Sequence, residues 1–471
     1  MSIKSYFWYQ TKIMAKRVYL SVVMLVLFSA NISAQNNDSI VFKKIANEVL
    51  IHGKCYNWLD YLSNRIGGRL SGSPQAALAV KYTRSLMDSI GADTAYLQEC
   101  KVPHWVRGEK EVGKLITGKE GEIIVKICAL GGSIATPAEG ITGEVVEIDN
   151  FDDLKKLGRA GLEGKIVFYN RAFDETKINT FEAYGGAVDQ RWSGPSLAAK
   201  YGAVGTIVRS MTNIIDDNPH TGVMKYNDSL PKVPCCAIST KGAELLSGLL
   251  KKESGVKFHF KMSCQTLPDE TSYNVVGEIR GTEHPEEIIT IGGHLDSWDL
   301  AQGSNDDGAG AVQSLEVLRT FKALGIKPKR TIRVVMFMNE ENGGRGGAKY
   351  AELAKLRHEH LIAAIESDAG GGTPLGFGMV GKDDKKAKIR SWAKLFLPYG
   401  VYDFTGDEAG ADIDKLDDQG ATLMGLEPDS QRYFDVHHAA TDTFDRIDKR
   451  ELELGAASMT MMAYMLSQYG L

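Results

Sequence analysis

The sequence predicts an α/β fold: a mixed, largely parallel sheet with helices on both faces, interrupted by an inserted, mostly β module. Three observations carry this. From Ser272 onward apolar strand-like runs alternate with amphipathic helical ones; between about Gly118 and Met262 that rhythm is replaced by short strands; and from Ser39 to about Ala92 the apolar residues recur at helical spacing. The domain division expected is a leader over 1–34, a first catalytic part over 35–117, the insert over 118–265 and the main catalytic part over 266–471.

Along the chain, "QAALAVKYTRSLMDSIG" is the best helix of the first part, begun by Ser73-Pro74 and stopped by Gly91. In the last part "NVVGEIRG", "EEIITIGGHLD", "TIRVVMFMNEE", "LIAAIESDAG" and "ATLMGLEP" read as strands. "AGAVQSLEVLRTFKAL", "GGAKYAELAKL", "KAKIRSWAKLF" and "KRELELGAASMTMMAYMLSQ" read as helices. Such alternation buries the sheet on both faces and places ligands beyond the carboxyl ends of the strands.

At 471 residues, 43% hydrophobic and 24% charged, the chain is expected to be globular and to hold more than one domain. Its first 34 residues read as an export signal, with Met14 as an alternative start: Lys16 and Arg17 precede the 13-residue apolar stretch Val18 to Ala30, and Ala34 ends a small-residue cleavage site. That stretch is short of the ~20 residues needed to span a bilayer, so no stable membrane anchor is expected and the mature protein is placed outside the cytoplasm, secreted or periplasmic. The leader holds four basic and no acidic residues, leaving 51 basic against 60 acidic, a formal −9. No long basic run remains, which argues against nucleic acid and anionic membrane partners. Six cysteines (Cys55, Cys100, Cys128, Cys235, Cys236, Cys264) without a CxxC pair exclude a zinc-finger framework, while export would permit disulfides.

The chemistry concentrates after the strands. "GGHLDSWDLAQGSNDDGAG" sets His294, Asp296, Asp299, Asp306 and Asp307 in a glycine-rich loop. Glu340 and Glu341 end the next strand, Asp368 follows another, and "YFDVHHAATDT" brings His437 and His438. Carboxylates in such number repel unless a cation neutralises them, and mixed imidazole and carboxylate donors suit zinc. Asp412 in "GADID" is either an acceptor for a substrate amine or a helix N-cap. Trp105 and Arg107 in "VPHWVRG" read as structural, and Arg345 and Arg432 are the arginines nearest the metal loops.

The set His-x-Asp, Asn-Asp-Asp-Gly, Glu-Glu, Ser-Asp and His-x-x-x-Asp-Thr resembles the co-catalytic di-zinc exopeptidases, the clan of aminopeptidases and glutamate carboxypeptidases. "RLSGSPQAALAV", "GGSIATPAEGIT", "NPHTG" and "YFDVHH" extend the likeness over nearly the whole mature chain, and the insert resembles a protease-associated domain. The resemblance implies two Zn2+ per chain, one held by His294 and Asp368, the other by Glu341 and His438, with Asp306 bridging both. It also implies a cis peptide after Asp306, Glu340 as general base, Asp296 orienting His294, and Asp442 fixing its loop. Where several relatives place an oxyanion-stabilising tyrosine stands His437; His437 or Tyr433 takes that role, or His437 packs. The activity implied is hydrolysis of unblocked dipeptides and short peptides. The rivals are an aminopeptidase acting on longer chains, a receptor-like protein of the same fold, which would be expected to lose ligands, and a one-zinc cyclase of N-terminal glutamine. A homodimer is among the partners allowed, and the insert, carrying no expected ligand, is expected to matter less to metal binding than to substrate choice.

Overall fold

The structure, a computed structural model, describes residues 37–471, so the expected leader lies outside the described residues. Seven strands form the larger sheet, in the spatial order Thr94–Val106, Gln265–Ile279, Arg330–Phe337, His284–His294, His360–Glu366, Thr422–Pro428, Pro374–Val380. The four from Arg330–Phe337 to Thr422–Pro428 run parallel, and the flanking pairs are antiparallel. The sheet is therefore mixed with a parallel centre.

Period-two alternation explains its burial on both sides. Ile289, Ile291, Val334, Met336 and Ile365 join one core with the helices Pro74–Ile90, Ala309–Ala323 and Lys449–Tyr469. Their neighbours Ile288, Val335, Phe337 and Ala364 join a second core beneath Arg345–Leu356. The caps read from sequence are in place: the Ser73 side chain accepts from Ala76 N at 3.1 Å, and Gly91 closes the same helix in the left-handed region at φ 81°. "KAKIRSWAKLF" is two short helices, Asp383–Arg390 and Ala393–Phe396, and the antiparallel edge strand Pro374–Val380 was not expected.

A second sheet of eight strands lies between Val106 and Gln265. It starts at Val112, because Val112–Thr117 pairs with Gly121–Val125 across a tight turn and with Lys257–Lys261. The glycine-rich turn around Gly118 is thus a hairpin within this sheet, whereas the boundary placed there would leave its first strand with the catalytic part. The segment is also more helical than "mostly β" implies: it contains Phe151–Leu162, Thr180–Gly185, Asp189–Trp192, Gly194–Lys200 and Thr240–Leu250, and four of its strands run parallel. Among the described residues no helix is long and apolar enough to cross a membrane. All six cysteines are buried and unbridged.

Candidate metal centre and active site

Four of the five expected ligands stand at, or on the loops that follow, the carboxyl ends of parallel strands. His294 is the last residue of its strand, Glu341 follows Arg330–Phe337, Asp368 follows His360–Glu366, and His438 follows Thr422–Pro428. Asp306 and Asp307 lie on the loop leading into Ala309–Ala323, joined by a cis peptide.

The acids beside the ligands hold backbone. Asp442 accepts from Asn305 N at 2.7 Å and Asp306 N at 3.1 Å; Asp307 accepts from His294 N at 3.0 Å and Gly310 N at 2.8 Å. Arg69, fully buried, donates to the carbonyls of Leu295, Gln302 and Gly303, tying both arms of the His294–Asp306 loop to the first helical region. The work of Asp296 differs from that expected. His294 Nδ1 lies 2.9 Å from the main-chain oxygen of Asp296 and 3.9 Å from its carboxylate. The carboxylate instead accepts from Asn339 N at 2.6 Å and Glu340 N at 3.1 Å, so it fixes the strand end that carries the Glu-Glu pair.

The donor atoms converge in two groups that share Asp306. His294 Nε2 lies 3.1 Å from Asp306 Oδ1 and 3.2 Å from Asp368 Oδ1. His438 Nε2 lies 3.3 Å from Asp306 Oδ2 and 3.1 Å from Glu341 Oε2. Ligands ~2.0–2.1 Å from a tetrahedral zinc stand about 3.3 Å from one another, and these separations match that spacing. His437 Nε2 is farther from Asp306, at 3.7 Å, with its ring stacked on that of His438.

The charges agree with that use. Burial lowers the pKa of His438, but Glu341 and Asp306 outweigh it and push it up to about 10. Burial likewise opposes protonation of His294, and Asp368 and Asp306 overcome it. Glu341 is pushed up to about 7, by burial and then by Asp306. Asp306 goes the other way: its contacts with His294 and His438 hold it well below the carboxylate range against burial. Without a metal, then, the carboxylates favour the protonated form of both imidazoles. A divalent cation in each group would supply the same positive charge, so the residues fit two zinc ions.

A cavity of about 650 Å³ opens over the donors, with Glu340, half-buried, on its wall. Burial, then repulsion from Asp368, Glu341 and Asp306, raises the Glu340 pKa well above the usual range, although His294 pulls it down. Tyr433 and His437 line the same space; burial and the neighbouring His438 keep His437 neutral. A second cavity, about 580 Å³, adjoins through Asp368 and Phe181 and carries Glu408 and Glu427. Asp412 lines neither: it is 2% exposed, neither oxygen has a partner, and it caps no helix.

The opposite wall comes from the insert, to which the sequence reading gave a part in substrate choice but none at the metal ligands. Tyr184, Arg191 and Lys225 line the larger cavity. Thr221 N donates to the His438 carbonyl at 2.9 Å, and His220 forms an antiparallel bridge with Ala439. His438 itself sits at φ 60°, a conformation that this pairing helps to hold. The one available signal was "NPHTG", a motif with no role until the fold brought it here. Arg107, as read, is structural: it forks onto Asp299 at 2.7 and 2.9 Å, while Trp105 Nε1 donates to Ser133 O at 3.0 Å.

Comparison with known proteins follows the same outline. The pattern of peptidase family M28 matches residues 274–464, a span that includes every expected ligand and Glu340. Carboxypeptidase Q of Xenopus laevis is 35% identical over 453 residues, covering 93% of this chain and 94% of that protein. Carboxypeptidase Q of Homo sapiens is 34% identical over 432 residues, covering 91% and 89%. Among solved structures, a peptidase M28 precursor from Shewanella amazonensis superposes with a TM-score of 0.87 at 32% identity, over 92% of this chain and 97% of that one. A zinc aminopeptidase from Bacillus subtilis shares the fold, with a TM-score of 0.63 at 20% identity over 87% and 94% of the chains. The chain belongs to peptidase family M28 and is a metallo-exopeptidase.

Proposed function

We propose that the protein is an exported di-zinc exopeptidase that hydrolyses unblocked dipeptides and short peptides, with a protease-associated insert roofing its site. The observation that carries this is the pair of donor groups sharing Asp306 at tetrahedral spacing beneath a cavity walled by Glu340. His294 and Asp368 would hold one ion, Glu341 and His438 the other, and Asp306 both; the zinc aminopeptidase that shares the fold supports the choice of metal. Bound zinc supplies a Lewis acid for the scissile carbonyl and acidifies a water.

The remaining steps fall to side chains. Glu340 takes the proton of the attacking water and returns it to the leaving amine, a shuttle open to a carboxylate on the cavity wall that is not itself a metal ligand. Asp296 keeps Glu340 in place through the backbone N–H groups of Asn339 and Glu340. His437, neutral, or Tyr433 donates to the oxyanion. Glu408 and Glu427 in the adjoining cavity offer acceptors for a substrate amine, a role from which its enclosure removes Asp412.

A roofed cavity selects by length, because a longer peptide forces polar backbone against walls that offer no partners. The test is a panel of one dipeptide, its N-acetyl form, a tetrapeptide and a protein, given to the zinc-loaded enzyme. The dipeptide is expected to be cleaved fastest, the tetrapeptide slower and the protein scarcely, with N-acetylation costing more than a longer side chain. Equal rates on the dipeptide and its N-acetyl form would show that the amine is not read; faster cleavage of the longer peptides would favour an aminopeptidase of wider scope.

A further inference from the structure

The cavity that adjoins the larger one through Asp368 and Phe181 holds about 580 Å³, and no lysine, arginine or histidine lines it. Six acids do: Glu366, Asp368, Asp403, Glu408, Glu427 and Asp429. Four are answered within the fold. Glu366 accepts from Ile413 N at 3.1 Å, Asp403 from Thr405 N at 2.9 Å and Asp429 from Gln431 N at 3.0 Å, while Asp368 lies 3.2 Å from His294 Nε2. Among the described residues no hydrogen bond or ion pair reaches the carboxylates of Glu408 and Glu427. Glu427, half-buried, is nonetheless held in place: a Cβ at Gly378 or Gly406 would collide with its Oε1, so bare backbone seats it. Burial, then Asp403, Glu408 and Asp407, push its pKa up to about 7, a repulsion that an incoming cation would relieve.

The kind of cation follows from the walls and from the reach. Leu375, Leu426 and Phe181 line the same space, as do Ile178 and Tyr402, which are 87% and 61% exposed. Such walls suit a charge carried on an apolar stem. A bare metal ion is less suited: among the described residues, neither Glu408 nor Glu427 falls within a cluster of three donors close enough to hold one. The register that pairs Glu366 with Gly425 sets Glu427 one strand spacing, ~4.8 Å, from Asp368, on the side away from the strand of His294. Its carboxylate leans farther still, onto Gly378 of the edge strand. A substrate's α-amine stands only ~2.5 Å from the carbonyl carbon of its own residue and so stays at the Asp368 end. The terminal nitrogen of a lysine side chain is six bonds from that carbon and spans the gap.

We propose that this cavity receives a basic side chain, lysine or arginine, on the substrate residue that bears the free amine, with Glu427 and Glu408 binding its cationic end. The proposal rests on the peptidase reading and specifies which substrate amine these two acids meet.

The experiment measures kcat/KM on lysyl-alanine, norleucyl-alanine and glutamyl-alanine, the second matching the first in stem but lacking its charge. Wild type, Glu427→Gln and the double variant Glu408→Gln/Glu427→Gln are compared, each zinc-loaded and assayed for zinc content. Wild type is expected to favour lysyl-alanine over norleucyl-alanine at least tenfold and to cleave glutamyl-alanine slowest. Glu427→Gln should narrow the lysyl-to-norleucyl ratio at least fivefold, and the double variant should bring it near one. A wild-type ratio near one would overturn the proposal whatever the variants do. Variants that slow both peptides equally, or that leave the ratio unchanged, would overturn it too, the former by assigning the two acids to the α-amine. If zinc-loaded wild type cleaves none of the three, the peptidase reading fails, and calorimetry with L-lysine and L-norleucine decides. At least tenfold tighter L-lysine would then uphold the cationic subsite, and equal affinities would overturn it.

Discussion

The two walls of the cavity are built on different principles. The catalytic wall carries donors placed one by one at the ends of parallel strands whose cores lock them: His294, Glu341 and Asp368 each sit at or within four residues of the buried carboxyl end of a strand. The insert wall is built from turns and short helices, Thr180–Gly185, Asp189–Trp192 and the stretch His220–Gly222, whose positions depend on contacts across the cleft. The first wall supplies chemistry. On the proposed reading the second supplies the surroundings of His438 and the groups that would meet the rest of the substrate. A rigid sheet edge can hold reactive atoms at fixed spacing, while a separately folded module can alter selectivity without disturbing them.

The largest effect that would separate the walls lies within the Glu-Glu pair. Glu340→Gln is expected to keep its metal and lose about 10²–10⁴-fold in kcat, since an amide cannot shuttle a proton. Glu341→Gln is expected to lose metal at the His438 group. Steady-state kinetics with metal analysis checks both, and identical behaviour of the two variants would remove the division of labour assigned to adjacent residues.

A smaller effect tests whether the insert takes part in the metal centre. Gly222 sits at φ 127°, and a Cβ there would lie 2.1 Å from Arg191 Nη1 and 2.7 Å from His438 Nδ1. Gly222→Ala should therefore strain the backbone and displace the His438 ring, weakening zinc about 10–100-fold, as losses in the surroundings of a ligand do. Competition with a chelator, alongside circular dichroism to verify folding, measures it. Unchanged affinity would return the insert to the role expected from its lack of ligands, in substrate choice and not in metal binding.

The smallest effect is a pH dependence confined to the catalytic wall. Burial pushes Asp442 up to about 7 and Glu366 up to about 8, with Asp306 and Asp368 respectively adding to it; Glu341 stands at about 7 and His438 at about 10. All four are raised, so each contributes stability that is complete below its unfolded pKa and lost as pH rises through its folded one. The metal-free protein should lose stability from about pH 4 to about 8 through the carboxylates, and on to about 10 through His438. Zinc displaces those protons, so the gain in Tm on adding zinc should grow over the same window. Thermal melts with and without chelator across that range check it; a gain independent of pH would show that the protons and the metal do not compete.

The catalytic wall was legible in the sequence because strand periodicity and chain order place its residues. An apolar run ending in His-Leu-Asp, Asn-Glu-Glu or Ser-Asp fixes which end of the sheet bears the donors, and the order of the strands brings them together. The role of Asp296 was misjudged because proximity in sequence to His294 says nothing of which oxygen faces the ring; the carbonyl does, and the carboxylate turns to Asn339 and Glu340. The Gly118 turn resembled a boundary because a hairpin turn and a linker share the same glycine-rich composition. Arg191 and the His220–Gly222 pairing were invisible for a deeper reason. They lie more than 200 residues from His438, and nothing in local pattern reports a contact between separately folded segments.

Both donor groups depend on the shared Asp306. Elemental analysis of the purified, zinc-loaded protein, with the Asp306→Asn variant beside it, tests this most directly. Two zinc ions per chain are expected in the wild type, with the variant failing to retain both because each group loses a donor. One ion or none in a folded, zinc-loaded wild type would contradict the bridged pair.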